Sequence, residues 1–128
     1  MRLYDTARGE IVPFTPGPVV TMYTCGITPY DATHIGHAAT YLTYDVLQRR
    51  LRDRGHETRC VRNVTDVDDD ILRKAREIGV HYLDLAAAET ARFDDDMRAL
   101  DMLPSWSEPR ATSAIADIRG CIGMVLDR

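Results

Sequence analysis

The spacing of apolar residues predicts a strand, a helix and a second strand in the first half of the chain. Residues 19–25 (VVTMYTC) form a short, mostly apolar run after the Pro-Gly-Pro sequence at 16–18, which is typical of a buried strand. From about residue 35 to residue 54, apolar side chains recur at steps of four or five, which predicts an amphipathic helix. Gly55 ends that helix, and residues 56–64 are β-prone. The predicted apolar stripe of the helix contains Ala38, Leu42, Val46, Leu47 and Leu51.

A strand, a helix and a strand in this order predict a βαβ unit. Such units make parallel sheets with right-handed crossovers, so we expect an α/β fold with flanking helices. Further helices are predicted at residues 71–78, behind a cap at Asp68 or Asp69, and at about 83–100 and 115–125. The LPSWSEP stretch between the last two is predicted to be a loop. Only two or three strands are visible, so we expect an incomplete sheet. The predicted stripes are Leu83, Ala87, Thr90 or Ala91, Met97 and Leu100, and then Ile115, Ile118, Ile122 and Val125.

Composition places the chain among ordinary globular domains. Its 128 residues are 45% hydrophobic and 28% charged, which suits one modest domain. No apolar run approaches the roughly 18 residues of a membrane helix, and no signal peptide is visible, so we expect a cytoplasmic protein without a membrane partner. The three cysteines are widely spaced, which argues against a disulfide framework. A net charge of -4 gives no general attraction to nucleic acid.

The start of the first predicted helix carries the first candidate site. Gly36 lies there between His34 and His37, directly after the predicted strand. A helix N-terminus offers unpaired N–H groups and partial positive charge, and imidazole N–H groups can stabilise phosphate charge, so this pattern is compatible with nucleotide binding. In the alternative interpretation, His34 caps the helix, Gly36 permits a turn and His37 is an exposed side chain. The spacing alone leaves both open.

Cys25 closes the first predicted strand at the same edge of the sheet. A zinc site needs three or four ligands, and no second cysteine or histidine stands at a spacing such as C-x2-C. Cys25 is therefore either a single metal ligand or a small thiol at a strand end. The acidic run at residues 66–70 either binds Mg²⁺ or caps the helix that follows it.

Two long motifs give the chain a specific resemblance. The sequence HIGH at residues 34–37 is the first motif of the class I aminoacyl-tRNA synthetases. MYTCGITPYDATHIGH, together with RNVTDVDD at residues 62–69, resembles the cysteinyl-tRNA synthetase family, which includes the cysteine ligase of mycothiol biosynthesis. The resemblance covers nearly the whole chain. It implies a Rossmann-like (HUP-type) parallel sheet with flanking helices, in which residues 1–128 form the N-terminal half of a catalytic domain without an anticodon-binding domain.

The resemblance also implies an activity and the residues that perform it. The family activates L-cysteine with ATP and Mg²⁺ to cysteinyl-adenylate and then transfers the cysteinyl group to an acceptor. Cys25 would be one ligand of a Zn²⁺ ion that binds the substrate thiolate, and the remaining ligands would lie outside this chain. A soft thiolate on zinc separates cysteine from serine better than the shape of a pocket can. Cysteine would contact Cys25, Gly26, Ile27 and Thr28. ATP and the adenylate would contact His34, Gly36, His37, Thr40, Asn63 and Thr65, with His34 and His37 catalytic.

The acceptor divides the family into two branches. TPYDATHIGHAATYLTYD resembles the mycothiol branch, which uses a glucosaminyl-inositol, whereas WSEPRATSAIADI resembles the synthetases, which use tRNA-Cys. Asp70 stands where synthetases usually have lysine. We expect tRNA-Cys, because synthetases are far more widespread, and keep the amino sugar as the alternative. We also expect the chain to need a C-terminal half or a partner chain for turnover, since it has no KMSKS-like loop. A non-catalytic nucleotide-binding fragment is the competing hypothesis.

Overall fold

The computed structural model describes all 128 residues. The chain begins with an antiparallel hairpin of β1 (Arg2–Asp5) and β2 (Glu10–Pro13), which is turned at Gly9 with a φ of 68°. The hairpin was not predicted, because its four-residue strands are too short and too exposed to give a clear alternation of apolar and polar positions.

The predicted βαβ unit is confirmed. Strand β3 (Val19–Ile27) pairs in parallel with β4 (Glu57–Val64), and helix α1 (Ile35–Asp53) connects them. The ladder is regular as far as Thr24, which pairs with Arg62, and becomes irregular before Ile27. The strand ends therefore lie at one edge of the sheet, where open α/β folds bind their ligands.

A third extended segment continues the sheet beside β4. Residues 106–110 form parallel bridges with Val61 and Val64, so this stretch is not the simple loop that was predicted. The amide of Trp106 donates to the carbonyl of Cys60 at 2.7 Å, and the amide of Val64 donates to Pro109 at 2.9 Å. The sheet thus extends on the β4 side, and β3 has β4 as its sole strand neighbour.

Three further helices complete the fold. They are α2 (Asp69–Ile78), α3 (Tyr82–Ala99) and α4 (Ala111–Leu126). The Asp68 carboxylate caps α2 by accepting from the amide of Asp70, and Gly79 ends α2 in the left-handed conformation. Helix α4 lacks a cap from its own flanking residue and is capped by Asp66 instead, which accepts from the Thr112 amide at 2.9 Å and hydroxyl at 2.6 Å.

The buried faces of the helices differ from the predicted stripes. In α1 the buried residues are Tyr41, Asp45, Gln48 and Leu51, whereas Val46 is 64% exposed. Asp45 is buried because it accepts from the amide of Leu103 and from Arg49. A stripe drawn from apolar residues could not include such a polar side chain, so the predicted stripe of α1 was partly wrong.

Helices α3 and α4 show the same kind of difference. In α3, Thr90 and Met97 are buried as predicted, but Leu83 and Leu100 are exposed, and Phe93 is the largest buried side chain. Helix α4 buries no residue at all, so its predicted stripe faces outward. No helix is both long enough and apolar enough to cross a membrane. The two core clusters are Ile27, Tyr41, Phe93 and Met97, and Ile71, Ala75, Leu85 and Ala86.

Candidate functional site

Two histidines cap α1 and each other. His34 is the N-cap residue, and its Nδ1 accepts from the amide of Gly36 at 3.1 Å. His37 reaches back one turn, and its Nδ1 accepts from the amide of His34 at 3.2 Å. This reciprocal arrangement is a capping box made by imidazoles instead of hydroxyl and carboxylate groups. The capping role considered for His34 is confirmed.

The capping box fixes the tautomer of both rings. A ring nitrogen that accepts an N–H bond carries no proton, so the neutral imidazoles hold their protons on Nε2. The rings stack with centroids 4.0 Å apart and planes inclined at 26°. Burial lowers the pKa of His37 below its ordinary 6.5, and neighbouring His34 lowers it further. The Nε2–H groups of the two stacked rings are therefore available as donors at the start of α1.

Gly36 lets the His34 ring lie against the first turn. A Cβ at this position would be 2.9 Å from Cε1 and Nδ1 of His34, which is closer than real Cβ atoms come to other atoms. The amide of Gly36 is already bonded to His34, and the Nε2 groups of the rings remain as donors at this helix end. Glycine at this position therefore makes room for the ring.

The two rings face a cleft at the carboxyl end of β3. It has a volume of about 400 Å³, in the range of ordinary ligand sites. Five of the predicted site residues line it together, and these are Gly26, Ile27, Thr28, His34 and His37. The connecting loop adds Tyr30, Asp31 and Ala32, which the sequence interpretation missed. Their position between a buried strand and a helix N-terminus was the available signal, because such loops border the ligand crevice of α/β sheets.

Five predicted site residues do not line this cleft, and these are Cys25, Gly36, Thr40, Asn63 and Thr65. The hydroxyl of Thr40 donates to the Gly36 carbonyl at 3.0 Å within its own helix. Asn63 and Thr65 bond to each other at 3.1 Å, from the Asn63 Nδ2 to the Thr65 Oγ1. Cys25 is an exposed free thiol next to Gly26, and Cys60 and Cys121 are also free. The ligand roles predicted for these residues stay predictions.

The chain does not assemble a metal centre from its own side chains. No group of three or more histidine, cysteine, aspartate or glutamate residues is arranged to hold an ion. Cys25 could supply one ligand, which is fewer than zinc needs. In the acidic run at residues 66–70, the carboxylates of Asp68 and Asp66 accept hydrogen bonds from the first turns of α2 and α4. Two of the carboxylates of this run therefore have a helix-capping role.

A larger cavity of about 490 Å³ is lined by residues 102–105 together with Arg62, Asp94 and Glu108. Its buried charge is Arg62, which pairs with Asp94 at 3.2 Å and with Glu108, and which stands 4.5 Å from the ring centre of Phe93. Burial, followed by the neighbouring Glu108, raises the pKa of Asp94. The charges of this cavity are thus matched within the chain, and neither capping histidine lines it.

Comparison with known proteins identifies relatives of the whole chain. Residues 12–128 match the sequence profile of the family described as tRNA synthetases class I (C) catalytic domain. The chain is 54% identical over 118 residues to the L-cysteine:1D-myo-inositol 2-amino-2-deoxy-alpha-D-glucopyranoside ligase of Mycobacterium ulcerans, covering 92% of this chain and 29% of that protein. The protein of the same name in Nakamurella multipartita is 47% identical over 127 residues, covering 99% of this chain and 31% of the relative.

A solved structure supports the fold. Mycobacterium tuberculosis methionyl-tRNA synthetase in complex with methionyl-adenylate superposes with a TM-score of 0.64 at 23% identity, covering 67% of this chain and 17% of that one. At this identity the likeness concerns the fold alone, and it confirms the predicted Rossmann-like α/β class. The chain spans less than a third of the length of the curated relatives it matches.

Proposed function

Since the chain belongs to the family described as tRNA synthetases class I (C) catalytic domain, as its motifs predicted, we propose that it supplies the adenylate-forming site of an ATP-dependent cysteine ligase. One observation carries this proposal. The capping bonds of His34 and His37 leave the Nε2–H donors of two residues that line a cleft of about 400 Å³, at the carboxyl end of a parallel sheet. N–H donors fixed in this way suit the stabilisation of charge on phosphate oxygens.

The proposed first step is the activation of cysteine. Its carboxylate oxygen attacks the α-phosphorus of ATP, a new oxygen–phosphorus bond forms, and the bond to the bridging oxygen breaks to release pyrophosphate. Negative charge that develops on the phosphate oxygens is stabilised by the two imidazole N–H groups. Their preorganisation matters, because the capping bonds hold the rings in place before the nucleotide arrives.

The proposed second step transfers the cysteinyl group to an amine. The amino group of a glucosaminyl-inositol attacks the carbonyl carbon of the adenylate, AMP leaves with the bond's electron pair, and the amine loses a proton. The names of the curated relatives support this acceptor, which was the alternative in our sequence interpretation. tRNA-Cys remains the second candidate, because the matching family is described as a tRNA synthetase family.

Binding of a non-hydrolysable cysteinyl-adenylate analogue tests the site. His34→Asn keeps a good N-cap but removes the Nε2 donor, so we expect affinity to fall about tenfold or more with helicity unchanged. His81→Asn is the matched control, because His81 also caps a helix through Nδ1, accepting from Leu83 at 3.3 Å, and lies outside the cleft. Equal affinity of both variants and the wild type would refute the proposed role of the histidines.

The acceptor is tested separately on the protein at its full natural length. Pyrophosphate exchange that depends on cysteine measures the first step, and product formation with tRNA-Cys or with glucosaminyl-inositol identifies the second. We expect exchange with cysteine but not with serine, and product with the amino sugar. Product with tRNA-Cys alone would overturn the proposed acceptor and leave the proposed activation step in place.

A further inference from the structure

The Cys25–Gly26 peptide lies where the ladder between β3 and β4 breaks down. Regular pairing ends at Thr24 and resumes at Ile27, so this peptide lacks ordinary strand partners. An unpaired peptide group at a strand end is free to rotate or to bond water. The orientation of this peptide matters, because it determines where the Cys25 side chain leaves the backbone and how Gly26 lines the cleft.

Two side chains replace the missing ladder bonds, one on each side of the peptide. The amide of Gly26 donates to Oδ1 of Asn63 at 2.8 Å, and the carbonyl of Cys25 accepts from the hydroxyl of Tyr41 at 3.2 Å. The C=O of Cys25 and the N–H of Gly26 belong to the same peptide group. One planar unit is therefore fixed at both of its polar ends by residues from β4 and α1.

Both partners are themselves held in place. Oδ1 of Asn63 also accepts from the Tyr23 hydroxyl at 2.9 Å, and its Nδ2 donates to Thr65, so the carboxamide cannot turn without losing bonds. Tyr41 is 5% exposed and packs edge-on against Phe93. Burial raises the pKa of Tyr41 despite the lowering effect of Arg62, so the phenol stays a proton donor.

Gly26 is fitted to this arrangement. A Cβ at Gly26 would lie 1.4 Å from the carbonyl oxygen of Asn63, so the strand end can approach Asn63 only without a side chain. The two backbones thus approach most closely at Gly26, where the Asn63 side chain also accepts the hydrogen bond from the Gly26 amide. A general packing role for Asn63 would not require either feature.

We propose that Asn63 and Tyr41 are positioning residues that hold the Cys25–Gly26 peptide from both sides and so fix the cysteine-binding end of β3. The assignment to cysteine binding rests on the proposed function, whereas the fixing of the peptide does not. Asn63 was predicted to contact the adenylate. The geometry assigns it a different task, since its Oδ1 accepts from both Gly26 and Tyr23 and one N–H of its Nδ2 donates to Thr65.

Amide hydrogen exchange tests the fixing of the peptide directly. In Asn63→Ala, exchange of the Gly26 amide is expected to accelerate about tenfold, while amides of the regular ladder at residues 19–24 stay within about twofold of the wild type. Asn63→Asp keeps an oxygen acceptor and is expected to retain most of the protection of the Gly26 amide. This second variant keeps the test available if the alanine variant does not fold. Unchanged Gly26 exchange in Asn63→Ala, or uniform acceleration along β3, would overturn the proposal.

The functional consequence is a selective loss of cysteine binding. In pyrophosphate exchange by the full-length protein, Tyr41→Phe and Asn63→Ala are expected to raise KM for cysteine about tenfold and KM for ATP less than twofold. Tyr44→Phe is the matched control on the same helix, because Tyr44 is 38% exposed and is expected to behave as the wild type. Equal increases in both KM values would overturn the positioning role. Absence of cysteine-dependent exchange in the wild type would refute the proposed function, while hydrogen exchange would still decide whether the peptide is held.

Discussion

Replacing Gly26 with alanine tests the packing of the two strand ends independently of any activity. The added Cβ would lie 1.4 Å from the carbonyl oxygen of Asn63 and 2.5 Å from its carbonyl carbon. Ordinary contact begins near 3.4 Å, so the strands would have to separate by about 2 Å. Both obstructing atoms belong to the backbone of β4, which cannot move aside as the end of a flexible side chain would.

The expected loss follows from the bonds that such a separation breaks. Two hydrogen bonds join the two strand ends. The Gly26 amide donates to Oδ1 of Asn63 at 2.8 Å, and the Thr65 amide donates to the carbonyl of Ile27 at 2.9 Å. Each contributes about 1 kcal/mol, and overpacking of the neighbouring core adds about 1 kcal/mol or more. We therefore expect Gly26→Ala to lower the free energy of unfolding by about 3 kcal/mol.

Urea denaturation followed by circular dichroism measures this loss. With an m-value of about 2 kcal/mol/M, the midpoint should fall by about 1.5 M. Gly120→Ala is the control, because a Cβ at Gly120 meets no atom within 4 Å and the residue lies inside α4, where alanine is expected to stabilise by roughly 0.5–1 kcal/mol. A Gly26→Ala midpoint within experimental error of the wild type would show that the strand ends do not approach as described.

Three further predictions concern other parts of the site and its support. The pKa of His37, measured by NMR titration, should lie below 6.5. Because folding lowers this pKa, the contribution of neutral His37 to the free energy of unfolding is complete above pH 6.5 and declines as the pH falls below that value. A titration midpoint above 6.5 would contradict the environment described for His37. Asp66→Ala should cost about 1–2 kcal/mol and speed amide exchange at the start of α4, since Thr112 loses its cap; equal exchange in both proteins would count against this cap. Metal analysis after dialysis should find less than one equivalent of zinc on the chain alone, because no other side chains join Cys25 as zinc ligands. One equivalent of zinc that is lost in Cys25→Ser would contradict that conclusion.

Local patterns along the chain were enough to predict the elements that frame the site. The apolar run at residues 19–25, the helical periodicity after residue 35 and the stop at Gly55 each depend on neighbours in sequence, and the parallel βαβ unit followed from them. The position of His34 and His37 at a helix start was likewise visible, because a capping residue and its helix are adjacent in the chain. The resemblance of two motifs then predicted the family, which the comparisons confirmed.

Periodicity failed where burial depends on a partner from a distant part of the chain. Asp45 is buried because Leu103, 58 residues away, donates to it, and α4 stays exposed although its apolar spacing is regular. The extension of the sheet by residues 106–110 rests on backbone bonds that leave no periodic signal in the sequence. A stripe of apolar residues records what a helix can bury, not which neighbour is present to cover it.

The sequence by itself determined the order of the elements in the βαβ unit, the edge of the sheet where the candidate site lies and the pair of imidazoles at that edge. Only the tertiary structure decided how these groups are held. Asn63 reaches Gly26 across 37 residues, and Tyr41 reaches Cys25 across 16. The reason is physical: a hydrogen bond depends on distance and direction in space, and those are set only when strands and helices pack together.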